Sequence, residues 1–150
     1  MNDSGLTTYR RRLPHWRLSG ALYFVTWRVA KPQPELISSE RDLVVAALNH
    51  HNHERYELTA YVVMNDHVHV LVRPLGRYEP QRLVHSWKSF TAREMQHTGR
   101  RVGAVWQDEY FDRIVRDDKE FEQKMNYIRQ NPWKRWPELK TYQWVWSREN

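Results

Sequence analysis

The chain has 150 residues and 18.4 kDa, the length of one ordinary domain, and 40% apolar with 28% charged residues marks it as globular rather than disordered. It contains no Cys, which excludes a disulfide scaffold, thiol catalysis and Cys-ligated zinc. The net charge of +6 sits in three basic segments, residues 1–18, 77–101 and 128–150, separated by near-neutral or acidic stretches, an arrangement suited to a phosphate backbone. The apolar runs are too short to span a bilayer, and the Arg-rich start lacks the apolar stretch of a signal peptide. A soluble, cytoplasmic (nucleoid-associated) protein without a membrane partner is expected.

In chain order, a basic arm over residues 1–18 carries Arg10, Arg11 and Arg12 and ends in Leu13-Pro14-His15-Trp16. Ala21 to Val29 is rich in β-branched and aromatic residues and reads as a strand, ended by Pro32-Gln33-Pro34. Ser38-Ser39-Glu40 opens a helix with Leu43, Val44, Ala47 and Leu48 on one face. Tyr56 to Met64 and His67 to Arg73 read as strands joined by a two-residue turn at Asn65-Asp66. Pro80 opens a long helix to about Thr98, with Leu83, Trp87, Phe90, Ala92 and Met95 as its apolar positions. A short strand falls within Trp106–Val115. Asp117-Asp118 then starts a last helix, with Phe121, Met125 and Ile128 in phase, that Pro132 is expected to stop near Asn131.

Residues 133–150 form a basic, aromatic tail without a clear period. Its Trp133, Trp136, Trp144 and Trp146 are expected to pack rather than to stack on bases. The order strand, helix, strand, strand, helix, strand, helix predicts an α+β fold, a ferredoxin-like antiparallel sheet with helices packed mainly on one face, spanning residues 1–150 as one domain.

Two local features carry chemistry. In His67-Val68-His69-Val70-Leu71-Val72, strand alternation puts His67 and His69 on one face and Val68, Val70 and Val72 on the other. Two imidazoles side by side are half a metal site. A histidine-triad nucleotide hydrolase would need a third His at position 71, which is Leu71, so that reading fails. In Tyr127-Ile128-Arg129-Gln130-Asn131-Pro132, Tyr127 and Asn131 share a helical face four residues apart. Asn131 offers a hard carbonyl oxygen suited to Mg²⁺ or Mn²⁺.

The combination resembles the one-tyrosine HUH single-strand transposases, and the REP-associated tyrosine transposases in particular. Tyr61 to Val72 resembles their strand pair ending in the HUH motif, Trp106-Gln107-Asp108-Glu109-Tyr110-Phe111-Asp112 their central Trp-Gln…Asp stretch, and Tyr127 to Pro132 their nucleophile helix. Leu13-Pro14-His15-Trp16 and Trp87-Lys88-Ser89-Phe90 add to the likeness, which runs from about Tyr9 to Trp146. The chain departs from the family pattern in two places. Asn65-Asp66 stands where many relatives have a Pro, and Trp133-Lys134-Arg135-Trp136 replaces the usual Val-Lys-Ala-Gly.

The resemblance implies an HUH tyrosine transposase acting on single-stranded or hairpin (REP-like) DNA. Tyr127 would be the nucleophile, forming a 5′-phosphotyrosine and a free 3′-OH. His67, His69 and Asn131 would hold a divalent metal, Mg²⁺ or Mn²⁺. Arg10, Arg11, Arg12, Lys88, Arg93, Lys134 and Arg135 are the expected DNA contacts, and a monomer is expected over a homodimer. Two other classes stand beside this reading: a non-catalytic nucleic-acid-binding module that keeps the fold, and a metal-dependent hydrolase of small phosphoesters. A metal-dependent covalent DNA adduct separates all three.

Overall fold

The computed structural model describes residues 20–148. The basic arm with Arg10, Arg11 and Arg12 lies outside the described residues. Eight elements follow in order: β1 (Tyr23–Arg28), α1 (Ser38–His50), β2 (Tyr56–Val63), β3 (His67–Pro74), α2 (Pro80–His97), β4 (Phe111–Ile114), α3 (Asp118–Arg135) and β5 (Val145–Ser147). The strands form one antiparallel sheet in the order β4-β1-β3-β2-β5.

Strand alternation divides the buried residues between two faces. Val25 and Trp27 of β1, Tyr61 and Val63 of β2 and Val68, Val70 and Val72 of β3 pack with α1 and α2. Phe24, Ala60, Val62 and Leu71 pack with Phe121, Met125 and Ile128 of α3. Two of the three helices therefore share a face, and α3 covers the other. A bulge in β2 between Leu58 and Ala60 makes this consistent. The extra residue, Thr59, shifts the alternation, so Tyr56 and Leu58 before it share the α1/α2 face with Tyr61 and Val63 after it. Val62 is thereby brought opposite His69.

The predicted turn is present: Met64 N–H donates to the His67 carbonyl at 2.8 Å, closing a two-residue loop. Its carbonyls are braced from outside, Asn65 O by Leu36 N–H at 2.7 Å and Asp66 O by Val29 N–H at 2.9 Å. A loop held on both sides fixes where β3, and its histidines, begin.

Under α2 the core is aromatic. Trp27 stacks on Trp87 at 5.6 Å, and Trp106 meets Trp27 edge-on at 6.2 Å. The indole N–H of Trp87 donates to Tyr56 Oη at 3.2 Å, and Tyr56 Oη donates in turn to Leu48 O at 2.6 Å. Phe90, expected on the apolar face of α2, is 41% exposed; Val84 and Thr91 are buried on that helix instead.

The last helix departs from expectation at Pro132. The helix runs on to Arg135, with Pro132 inside it and buried. Proline lacks one N–H, so it removes one ladder bond, here within the final turn where few remain. Trp136 N–H still closes on Pro132 O at 2.7 Å. Lys134 and Arg135 thus lie on the helix, not beyond it. The tail is also more regular than its sequence suggests, because Val145–Ser147 adds β5 to the free edge of β2.

Candidate active site

His67, His69 and Leu71 share the α3 face of β3, and β1 lies beside it with Thr26 paired to His69 and Arg28 to His67. His69 is 3% exposed. Its Nδ1 lies 2.7 Å from Thr26 Oγ1, and its buried Nε2 has no hydrogen-bond partner. Burial pushes the His69 imidazole down to about 3, helped by the charges of His67, Arg28 and Lys124, so the ring is neutral at physiological pH. The Thr26 contact occupies Nδ1, and Nε2 is the ring nitrogen left without a partner.

His67 is oriented in the same way. Its Nδ1 lies 2.7 Å from Asp66 Oδ1. A carboxylate only accepts, so it holds the His67 proton on Nδ1 and frees Nε2. The two rings stand 4.7 Å apart at 72°. A ligating histidine held through its other nitrogen is the usual arrangement at metal centres. An unpartnered buried Nε2, a second Nε2 of fixed tautomer and the amide oxygen of Asn131 fit a divalent ion. Among the described residues no three His, Cys, Asp or Glu side chains converge.

Helix α3 supplies the rest. Its start is capped by Asp117, whose carboxylate accepts from Glu120 N–H at 2.8 Å. Phe121, Met125 and Ile128 anchor it on the sheet, which leaves Lys124, Tyr127, Asn131 and Lys134 along one flank at helical spacing. The Tyr127 ring meets His69 edge-on at 5.0 Å and Phe24 at 6.0 Å, yet the residue is 41% exposed. Asn131, one turn on, is 8% exposed. Lys124 Nζ sits 4.7 Å above the Phe24 ring, itself stacked on His69 at 5.3 Å. Lys134 Nζ lies 5.9 Å from the Tyr127 ring.

A phenol, two adjacent imidazoles and three cations (Arg28, Lys124 and Lys134) therefore border one patch of surface, with Asn131 one turn beyond Tyr127 on α3. Such a patch can hold a phosphodiester and present a nucleophile to it. Residues 29–131, more than half of the chain, match the family model described as "Transposase IS200 like".

The chain belongs to the IS200-like transposase family.

The match runs from just after β1 to Asn131, so His67, His69, Tyr127 and Asn131 fall within the family span and the tail lies outside it. The fold is similar to that in the structure of a REP-associated tyrosine transposase bound to a REP hairpin. The TM-score is 0.70 at 19% identity, over 93% of this chain and 81% of that one. A putative transposase from Deinococcus radiodurans R1 is also similar, with a TM-score of 0.49 at 20% identity over 83% of this chain and 97% of that one. A search of curated proteins finds no match.

The expected DNA contacts divide by position. Lys134 and Arg135 lie on the last turn of α3, Lys134 beside Tyr127. Lys88 and Arg93 lie on α2, across the sheet from Tyr127. Arg93 is exposed. Lys88 is half-buried, and its ammonium donates to the carbonyls of Gln107 and Asp108 at 2.6 and 3.1 Å, which ties α2 to the Trp106-Gln107 stretch. Sequence reasoning missed Thr26, Asp66, Arg28 and Lys124. Only Lys124 carried a usable signal, three residues before Tyr127 on the same helix.

Proposed function

We propose that this IS200-like transposase is a metal-dependent single-strand DNA endonuclease and strand transferase, with Tyr127 as nucleophile, acting on hairpin DNA. The observation that carries the reading is the exposed Tyr127 phenol packed on His69, whose buried Nε2 has no partner.

His67, His69 and Asn131 would hold the ion. Held by three neutral side chains, Mg²⁺ or Mn²⁺ would polarise the scissile phosphate with its charge undiminished by ligating carboxylates. Thr26 and Asp66 occupy the Nδ1 atoms of the two imidazoles and hold the rings in place. Arg28, Lys124 and Lys134 attract and orient the phosphate. Tyr127 Oη attacks phosphorus, the bond to the 3′-oxygen breaks, and the products are a 5′-phosphotyrosine and a free 3′-OH. The linkage conserves the phosphodiester, so a 3′-OH can attack it in turn and join a new end without a nucleotide cofactor. Tyr127 packs on His69 of its own chain, which supports a monomer.

The test uses hairpin oligonucleotides with an unpaired flank, labelled at either end, with Mn²⁺ and a denaturing gel. The proposal expects a protein band that retains the 3′ label and releases the 5′ label, and that disappears in excess chelator. A band retaining the 5′ label, or one insensitive to chelator, contradicts it. The alternative of a binding module without turnover predicts hairpin binding and no covalent band.

A further inference from the structure

The tail was expected only to pack. Trp133 does so, its indole N–H donating to Leu139 O at 2.8 Å. Residues 135–144 do something more. Together with the start of α1 they enclose an open cavity of about 780 Å³, lined by Arg41, Arg135, Trp136, Glu138, Tyr142 and Trp144 among others.

One wall is aromatic. Trp136 and Tyr142 stack at 5.7 Å and 25°, and Tyr142 meets Trp144 edge-on at 5.3 Å. The wall is fastened to the sheet: Tyr142 Oη donates to Val63 O at 2.6 Å, and Val63 N–H donates to Trp144 O at 2.9 Å. The Trp144 indole N–H also donates to Asp42 at 2.8 Å. Two guanidiniums lie over its rings, Arg41 at 4.5 Å from the Trp144 centroid and Arg135 at 5.2 Å from that of Trp136. Aromatic rings and guanidinium planes both stack on unpaired bases, and the same arginines pair with the phosphates between them. Glu138 on the rim disfavours a lone anion but can accept from a base amino group.

The cavity begins at the C-terminal end of α3, at Arg135. Arg135 follows Tyr127 by eight residues, about 12 Å along the helix axis, with Lys134 between them. A strand lying on Tyr127 can reach it within a few nucleotides.

We infer that this cavity binds an unpaired base of the DNA strand that is cleaved at Tyr127, stacked against the Trp136–Tyr142–Trp144 wall. The inference rests on the proposed function, and its test separates the two. Hairpin oligonucleotides carrying 5-iododeoxyuridine at successive unpaired positions are irradiated with the full-length wild-type protein, and the crosslinked peptides are sequenced. At one or more flank positions the label is expected within residues 136–144; labels confined to other peptides overturn the inference. A Trp144→Leu variant should bind the flanked hairpin about tenfold more weakly and a blunt hairpin unchanged. Equal loss on both substrates, or none, counts against the cavity. The same wild-type oligonucleotides are assayed for the covalent adduct. Adduct without crosslink at 136–144 rejects the cavity and keeps the nuclease; crosslink without adduct keeps the cavity as a base-binding site and rejects the nuclease.

Discussion

Thr26 and Asp66 touch no substrate in this account, yet each fixes an imidazole by occupying its Nδ1. Thr26→Val keeps a β-branched strand residue and deletes only the hydroxyl. The variant should fold, and its metal affinity should fall by about 10–100-fold, the usual cost of losing such a partner. Metal titration of adduct formation measures this, and an unchanged midpoint would make Thr26 a packing residue. The shared face of His67 and His69, and that of Tyr127 and Asn131, were legible from strand and helix periods; their proposed roles came from the family resemblance. Thr26 was not legible, because its partner is 43 residues away and the pairing of β1 with β3 is set by tertiary structure. Asp66 was read only as a turn residue; its second task depends on the rotamer of His67.

At the scale of elements, α1 and the loop after α2 are joined by a buried ion pair. Arg101 Nε lies 2.7 Å from Glu40 Oε2, and Glu40 also accepts from Ile37 N–H at 3.0 Å, closing the start of α1. Arg101→Met would leave Glu40 buried without its main partner and should destabilise the fold by about 3–5 kcal/mol, read as a lowered Tm. Burial pushes the Glu40 carboxyl up, but the hydrogen bonds from Arg101 and Ile37 outweigh it and hold it below its ordinary 4.5. A carboxyl lowered on folding stabilises the protein above that ordinary value and ceases to do so as pH falls through the folded value. Tm should therefore drop as pH is lowered below 4.5, and less steeply in Glu40→Gln; equal slopes would show the pair to be without effect. Helix and strand positions were largely readable from periodicity. The exceptions have local causes: Pro132 is tolerated where it removes one bond, and β5, at three residues, is too short to show a period.

Across the whole molecule, the sheet separates two surfaces, with His67, His69, Tyr127 and Lys134 on the α3 side and Lys88 and Arg93 on α2 behind it. Among the described residues no helix is long and apolar enough to cross a membrane. Binding to a hairpin with an unpaired flank should exceed binding to a perfect duplex of the same sequence, and should weaken steeply with salt as the gain from counterion release falls. Gel-shift titrations at two salt concentrations read both, and equal affinity for the duplex would indicate a double-strand binder. The central claim is that Tyr127 makes the covalent bond. Tyr127→Phe removes one oxygen and keeps the ring against His69 and Phe24, so stability should change by under about 1 kcal/mol. Tyr110, on the α1/α2 side of the sheet, serves as the control. Wild type, Tyr110→Phe and Tyr127→Phe are each incubated with a 3′-labelled hairpin oligonucleotide and Mn²⁺, then resolved on a denaturing gel. The account predicts a covalent band in the first two and none in Tyr127→Phe, with hairpin affinity retained; a band that persists in Tyr127→Phe would contradict it.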